Sequence, residues 1–149
     1  MKKAMVFIAT GAYVGRIPFM PGTFGTLWGV FIAWLAGGLS IESQALIALA
    51  VIAASIAVSG QASRALGGKD HPSIIADEIS GYLVGIFLIP FTPFNAILVF
   101  ILFRFFDILK PYPAGLMDRR LGGGAGIVLD DLVAGVYANV SAHAVLWLI

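Results

Sequence analysis

Five carboxylates on three apolar segments are the residues here best suited to chemistry: Asp77 and Glu78, Asp107, and Asp130 and Asp131. Carboxylates gathered without counter-charge repel one another or take up protons. A hard divalent cation removes that conflict, and magnesium favours oxygen ligands: a few carboxylates with a substrate phosphate. Around Asp107 the spacing adds cations, because Arg104, Asp107 and Lys110 follow at intervals of three just before Pro111 and Pro113. Residues three apart lie side by side on a helix, so this spacing predicts an ionised carboxylate flanked by two cations. A bland alternative is an interfacial salt-bridge cluster with snorkelling side chains. The grouping of the other four acids favours a metal face.

The phosphate side of such chemistry has its own candidates. Arg104, Lys110, Arg119 and Arg120 supply positive charge, and arginine is suited to bidentate phosphate contact. Residues 21–26, Pro-Gly-Thr-Phe-Gly-Thr, read as a turn-rich loop in which Gly22 and Gly25 allow close approach and Thr23 adds a hydroxyl at a helix entrance. The glycine run at 122–126 can do the same before the last helix, although either stretch alone is more often a tight turn. His71 is a candidate proton donor to a leaving oxygen, while a lone loop histidine is more often simply solvated. Metal and phosphate groups on a membrane-facing surface point to hydrolysis or transfer at a lipid phosphate.

The elements that must position these residues are greasy. Apolar residues make up 60% of the 149-residue chain and charged ones 11%, against about 25% charged in an ordinary soluble domain. Mean hydropathy is +0.98. The length fits one domain, residues 1–149. A net charge of +1 gives no electrostatic case for nucleic acid. With no cysteine there is no disulfide, thiolate site or cysteine nucleophile, and two histidines are too few for a histidine-rich metal centre. Lys2 and Lys3 before an apolar stretch mimic a signal peptide, but no clean cleavage site follows, so the segment is read as retained.

The sequence predicts an all-α fold, a compact, membrane-embedded bundle of five to six helices with polar catalytic loops on one side. A short helix lies within residues 4–15, and crossings are expected at 24–39, 43–63, 77–91, 95–109 and 127–149. Asp130 and Asp131 then fall in the first turn of the last helix, and Gly81 and Gly85 form a small-residue face for close helix approach. With the amino terminus in the cytoplasm, the connections at 40–42 and 92–94 carry no lysine or arginine, as the positive-inside bias requires. Every acid except Glu42 also falls on the cytoplasmic side or at its edge. Several of these segments offer nearer 15 apolar residues than the roughly 20 a crossing needs.

In order along the chain stand Pro21-Gly22-Thr23-Phe24-Gly25-Thr26, His71-Pro72-Ser73-Ile74-Ile75-Ala76-Asp77-Glu78, Arg104-Phe105-Phe106-Asp107-Ile108-Leu109-Lys110-Pro111, Asp118-Arg119 and Gly126-Ile127-Val128-Leu129-Asp130-Asp131. This set resembles the phosphatidylglycerophosphatase A family across nearly the whole chain. The resemblance implies an integral enzyme of the bacterial cytoplasmic membrane, its active site facing the cytoplasm. The enzyme would remove the terminal phosphate of phosphatidylglycerophosphate with magnesium. It implies Asp77, Glu78, Asp107, Asp130 and Asp131 as metal-binding and catalytic carboxylates. Arg104, Lys110 and Arg119 would be phosphate contacts, with Thr23 and His71 nearby. Two alternatives are a CDP-alcohol phosphotransferase, whose spaced aspartate signature is missing, and a divalent-cation carrier. The carrier is disfavoured because the acids gather at one face with phosphate-binding cations.

Overall fold

The computed structural model describes residues 2–68 and 71–149, except for the side chains of 118–120. Among these residues the chain is all-helical. The order is α1 (Lys2–Ala9), a 3-10 turn (Val14–Arg16), α2 (Pro21–Ala36), α3 (Ile41–Leu66), α4 (Ala76–Ile86), α5 (Pro93–Leu109), α6 (Ala114–Arg120) and α7 (Gly123–Leu148). Seven α-helices replace the expected five to six. The surplus is α6, which forms inside the stretch read as a polar connection.

The helix ends obey local chemistry. Ser40 caps α3 by accepting from the Ser43 amide, and Thr92 caps α5 by accepting from the Asn95 amide. Gly67 ends α3 in the left-handed conformation. Two starts differ from expectation. Pro21 opens α2, because its fixed φ and missing N–H suit a first helical turn, so residues 21–26 are helix and not loop. α7 begins at Gly123, which places Asp130 and Asp131 about two turns in.

α7 is the central post. α4 runs parallel to it in close contact: a side chain at Gly81 would meet the Asp131 carbonyl at 2.7 Å, one at Gly85 would meet the Ala138 methyl at 3.7 Å, and one at Gly135 would collide with the Gly81 carbonyl. The small-residue face expected at Gly81 and Gly85 is therefore a true contact surface. α5 runs antiparallel to α4, since Gly81 abuts Phe103 and Gly85 abuts Val99. Phe103, Val99 and Tyr82 are fully buried between these helices, with the Tyr82 hydroxyl donating to the Ala96 carbonyl at 3.1 Å. α3 crosses α7 where Gly60 meets Gly124, and Ser55 of α3 donates to the Ala76 carbonyl at 2.8 Å. α1 lays Val6 and Ala9 against Val58 and Ala62 of α3.

Two helices, α3 and α7, are long and apolar enough to cross a membrane. Only 28% of the most apolar window of α3 is buried, against 50% for α7. α3 thus turns Leu46 and Leu49 outward, while α2 exposes Phe31, Trp34 and Leu35 and α5 exposes Ile97 and Ile101. Apolar faces this large point to a membrane. The other expected crossings fall short: α2 has 16 residues, α4 has 11 and α5 has 17, where about 20 are needed.

Candidate active site

Antiparallel pairing puts the last turn of α5 beside the first turn of α4, and parallel packing brings the early turns of α7 to the same end. Asp77 and Glu78 open α4, where the positive end of the helix dipole favours them. One turn further along α4, Gly81 lets α7 approach; one turn before Gly135, Asp131 points into the same space. Ligand atoms of Asp77, Glu78 and Asp131 consequently lie within 4.8 Å of one another. Asp77 and Asp131 are buried, at 6% and 3% exposure.

The remaining two carboxylates hold cations. Arg104 Nη1 donates to Asp107 Oδ2 at 2.5 Å and stands 4.0 Å from Glu78 Oε1. Lys110 Nζ donates to Asp130 Oδ2. The sequence spacing placed Lys110 on the helix beside Asp107, but Lys110 adopts the left-handed conformation that ends α5, and its side chain reaches across to α7. Burial works to lower the Lys110 pKa; the hydrogen bond and charge of Asp130, aided by Asp131 and Asp107, overcome it and hold the ammonium charged.

Burial drives the Glu78 carboxyl up to about 8, with the Asp77 hydrogen bond opposing and the Asp131 and Asp107 charges adding to the rise. Arg104 offsets only part of this. Glu78 Oε2 and Asp131 Oδ2 are buried and have no hydrogen-bond partner among the described residues. Buried carboxylate oxygens without donors are costly, and a cation drawn to the three converging carboxylates would satisfy both. The donor set is all oxygen, which suits a hard ion.

Gly22 forms a wall of this site, which the loop reading of the sequence did not foresee. A Cβ at Gly22 would collide with Glu78 Oε1 and stand 2.8 Å from Arg104 Nη1. The missing side chain lets the first turn of α2 pack directly against Glu78 and Arg104. Gly25 packs on Ile75 just before α4, and Thr26 turns its hydroxyl to the Gly22 carbonyl at 2.9 Å. Thr23 is half-buried one residue beyond Gly22. His71 accepts from the Ser73 amide at Nδ1, 3.2 Å away, which leaves Nε2 to face outward from that turn's hydrogen bond. Among the described residues its hydrogen bonding stays within its own turn. The Arg119 side chain lies outside the described residues. Asn139, which the sequence reading passed over, donates to the carbonyls of Gly85 at 3.0 Å and Phe87 at 2.7 Å. It thereby caps the end of α4 and locks it to α7.

Fold and site together define an all-helical protein with a buried acidic centre able to hold a metal ion and cations placed beside it. The chain belongs to the phosphatidylglycerophosphatase A family, which it matches over residues 7–146, and so to the phosphatases. It is 34% identical over 140 residues to the Haemophilus influenzae phosphatidylglycerophosphatase A, covering 93% of this chain and 86% of that one. It is 32% identical over 130 residues to the Escherichia coli phosphatidylglycerophosphatase A, covering 87% and 76%. A Bacteroides thetaiotaomicron protein provisionally named a phosphatidylinositol-3-phosphatase is 32% identical over 152 residues, covering 97% and 94%. No solved structure matches this chain.

Proposed function

We propose that this protein hydrolyses the terminal phosphate of phosphatidylglycerophosphate, giving phosphatidylglycerol and inorganic phosphate, with magnesium as its metal. The observation that carries the reading is the convergence of Asp77, Glu78 and Asp131 within 4.8 Å, in a member of this family. These three carboxylates would hold the ion. When bound, magnesium supplies Lewis acidity toward the phosphoryl oxygens and toward water.

The chain's own residues supply the rest. Arg104, oriented by Asp107 and adjacent to Glu78 and Gly22, would meet the phosphate. Lys110, which donates to Asp130, adds positive charge. Arg119, Thr23 and His71 stand as further substrate contacts, with His71 Nε2–H as a hydrogen-bond donor to the leaving oxygen, which takes its proton from the attacking water. Water oxygen bonds to phosphorus, the bond from phosphorus to the glycerol oxygen breaks, and a proton passes to that oxygen. The products are the lipid alcohol and phosphate.

A multi-pass location in the bacterial cytoplasmic membrane, active site toward the cytoplasm, fits the basic-residue distribution and the outward apolar faces of α2, α3 and α5. The Bacteroides relative favours a second reading, another lipid phosphomonoester with an inositol head group. The test is phosphate release from both lipids in mixed micelles, with and without magnesium, for wild type and Asp131→Asn. Magnesium-dependent release from phosphatidylglycerophosphate that Asp131→Asn abolishes is expected. Faster release from the inositol lipid would move the substrate, and no release from either by folded protein would sink the proposal.

A further inference from the structure

Away from the carboxylates, four cations surround one cavity. Lys2 and Lys3 of α1, Arg16 of the 3-10 turn and Arg64 near the end of α3 line a space of about 320 Å3 together with Tyr13. No carboxylate lines it among the described residues. The chain has nine lysines and arginines in all, so a large share of its positive charge is spent here. Simple membrane-side bias asks only that cations lie on one face; it does not ask three separate elements to crowd them around a common space.

Crowding them has visible costs. Lys2 and Lys3 sit in the first turn of α1, where the helix dipole disfavours positive charge. Gly11, Ala12 and Tyr13 follow one another at φ of 53°, 57° and 67°, and the last two are side-chain-bearing residues in a region such residues seldom occupy. That turn reverses the chain so that Tyr13 lies beneath the Arg16 guanidinium, 4.5 Å from ring centroid to charge. It also seats Gly15 so close to the Ser73 carbonyl that a Cβ would collide with it. Strain, dipole and mutual repulsion all oppose the arrangement, and an anion in the cavity relieves two of the three.

We infer that Lys2, Lys3, Arg16 and Arg64 form a phosphate-binding site distinct from the carboxylate centre. Its ligand chemistry is a phosphate group, either on an anionic phospholipid head group or as free inorganic phosphate. Clustered lysines and arginines at a membrane surface recognise such head groups. Ile75 ties the two sites to one end of the molecule: its amide donates to the Ala9 carbonyl at 2.9 Å, two residues before Asp77. A lipid held here would lie on the face from which the carboxylates are approached. The inference does not rest on the proposed reaction.

The test measures binding of detergent-solubilised full-length protein to mixed micelles of phosphatidylglycerol or phosphatidylcholine, without magnesium. Wild type and Asp131→Asn are expected to bind the anionic micelles alike and the zwitterionic ones far more weakly. Arg16→Gln/Arg64→Gln, and separately the exposed pair Lys2→Gln/Lys3→Gln, each lose about thirtyfold, from roughly fivefold per charge. Equal binding of both micelles, or full-strength binding by both double variants, overturns the site. Loss in Asp131→Asn matching that in the double variants also overturns it, because the ligand is then at the carboxylates. Displacement by inorganic phosphate identifies free phosphate as a ligand too; failure to displace restricts the site to head groups, and either result supports a phosphate site.

Discussion

The two charged regions are built in opposite ways. The acidic centre is buried, set on three long-range helix contacts, and fixed by glycines that bring α4 and α7 backbones together. The basic cavity is open, borne on a short helix, a strained turn and a helix end, with side chains that reach water. A buried carboxylate cannot be screened by solvent, so its partners must be positioned to within ångströms. Exposed cations tolerate looser placement because water screens them. Precision therefore belongs to the region where a metal and a reacting phosphate would sit, and simple attraction to the other.

The largest expected break in this contrast is Asp131→Asn, which removes one of three converging carboxylates. Phosphate release falls by about a thousandfold or more, comparable to losing a major electrostatic contributor. If the carboxylates hold magnesium as proposed, wild type is expected to melt at a higher temperature with the ion than with chelator, and this variant to show no such rise. Next is Gly81→Ala, whose methyl would meet Phe103 and the Asp131 carbonyl at 2.5 and 2.7 Å. Denaturant unfolding should show a loss of about 1–3 kcal/mol from overpacking, with weaker magnesium binding because Asp131 moves with that backbone.

Lys110→Met removes the ammonium that donates to the Asp130 carboxylate, which is 4% exposed. Since the lysine itself is 32% exposed, the loss is discounted to about 1–3 kcal/mol. The pH dependence of the metal-free protein sharpens the comparison further. Folding raises Glu78 from 4.5 to about 8, so the folded state keeps a proton that the unfolded state has released between those values. Stability of the metal-free protein thus falls as pH rises through that window. If Glu78 holds magnesium as proposed, binding displaces the same proton, and apparent affinity is expected to rise with pH and level off above about 8. An affinity flat across this window would remove Glu78 from the binding set. The smallest effect is expected from Leu46→Gln on the outward face of α3: under about 0.5 kcal/mol in detergent, because this side chain is 67% exposed.

Much of the site was legible because residue type and rough position suffice for it. Asp77, Glu78, Asp107, Asp130 and Asp131 stand out in a chain this poor in charge. Gly81 and Gly85 were readable as a contact face from their spacing. Pro21 was misread as a loop residue, since proline with glycine marks turns and helix starts alike. α6 was missed because seven residues offer too little periodicity to detect. Of the split of five acids into three that converge and two that hold Arg104 and Lys110, only the Arg104–Asp107 pair was legible, from its three-residue spacing.

The sequence by itself determined that this chain is helical, apolar, acidic at selected segment ends and a member of its family. Those properties follow from composition, from the 3.6-residue period and from motif order, each of which is local. Only the tertiary structure decided that Lys110 serves Asp130 rather than Asp107, that Gly22 roofs the carboxylates, and that Arg16 and Arg64 share a cavity. Those facts depend on which helix faces meet and in what register, and that is set by backbone contacts between residues far apart in the chain. A one-residue shift at Gly81 against Gly135 would rotate Asp131 about 100° away from Asp77, with every local property of the sequence unchanged.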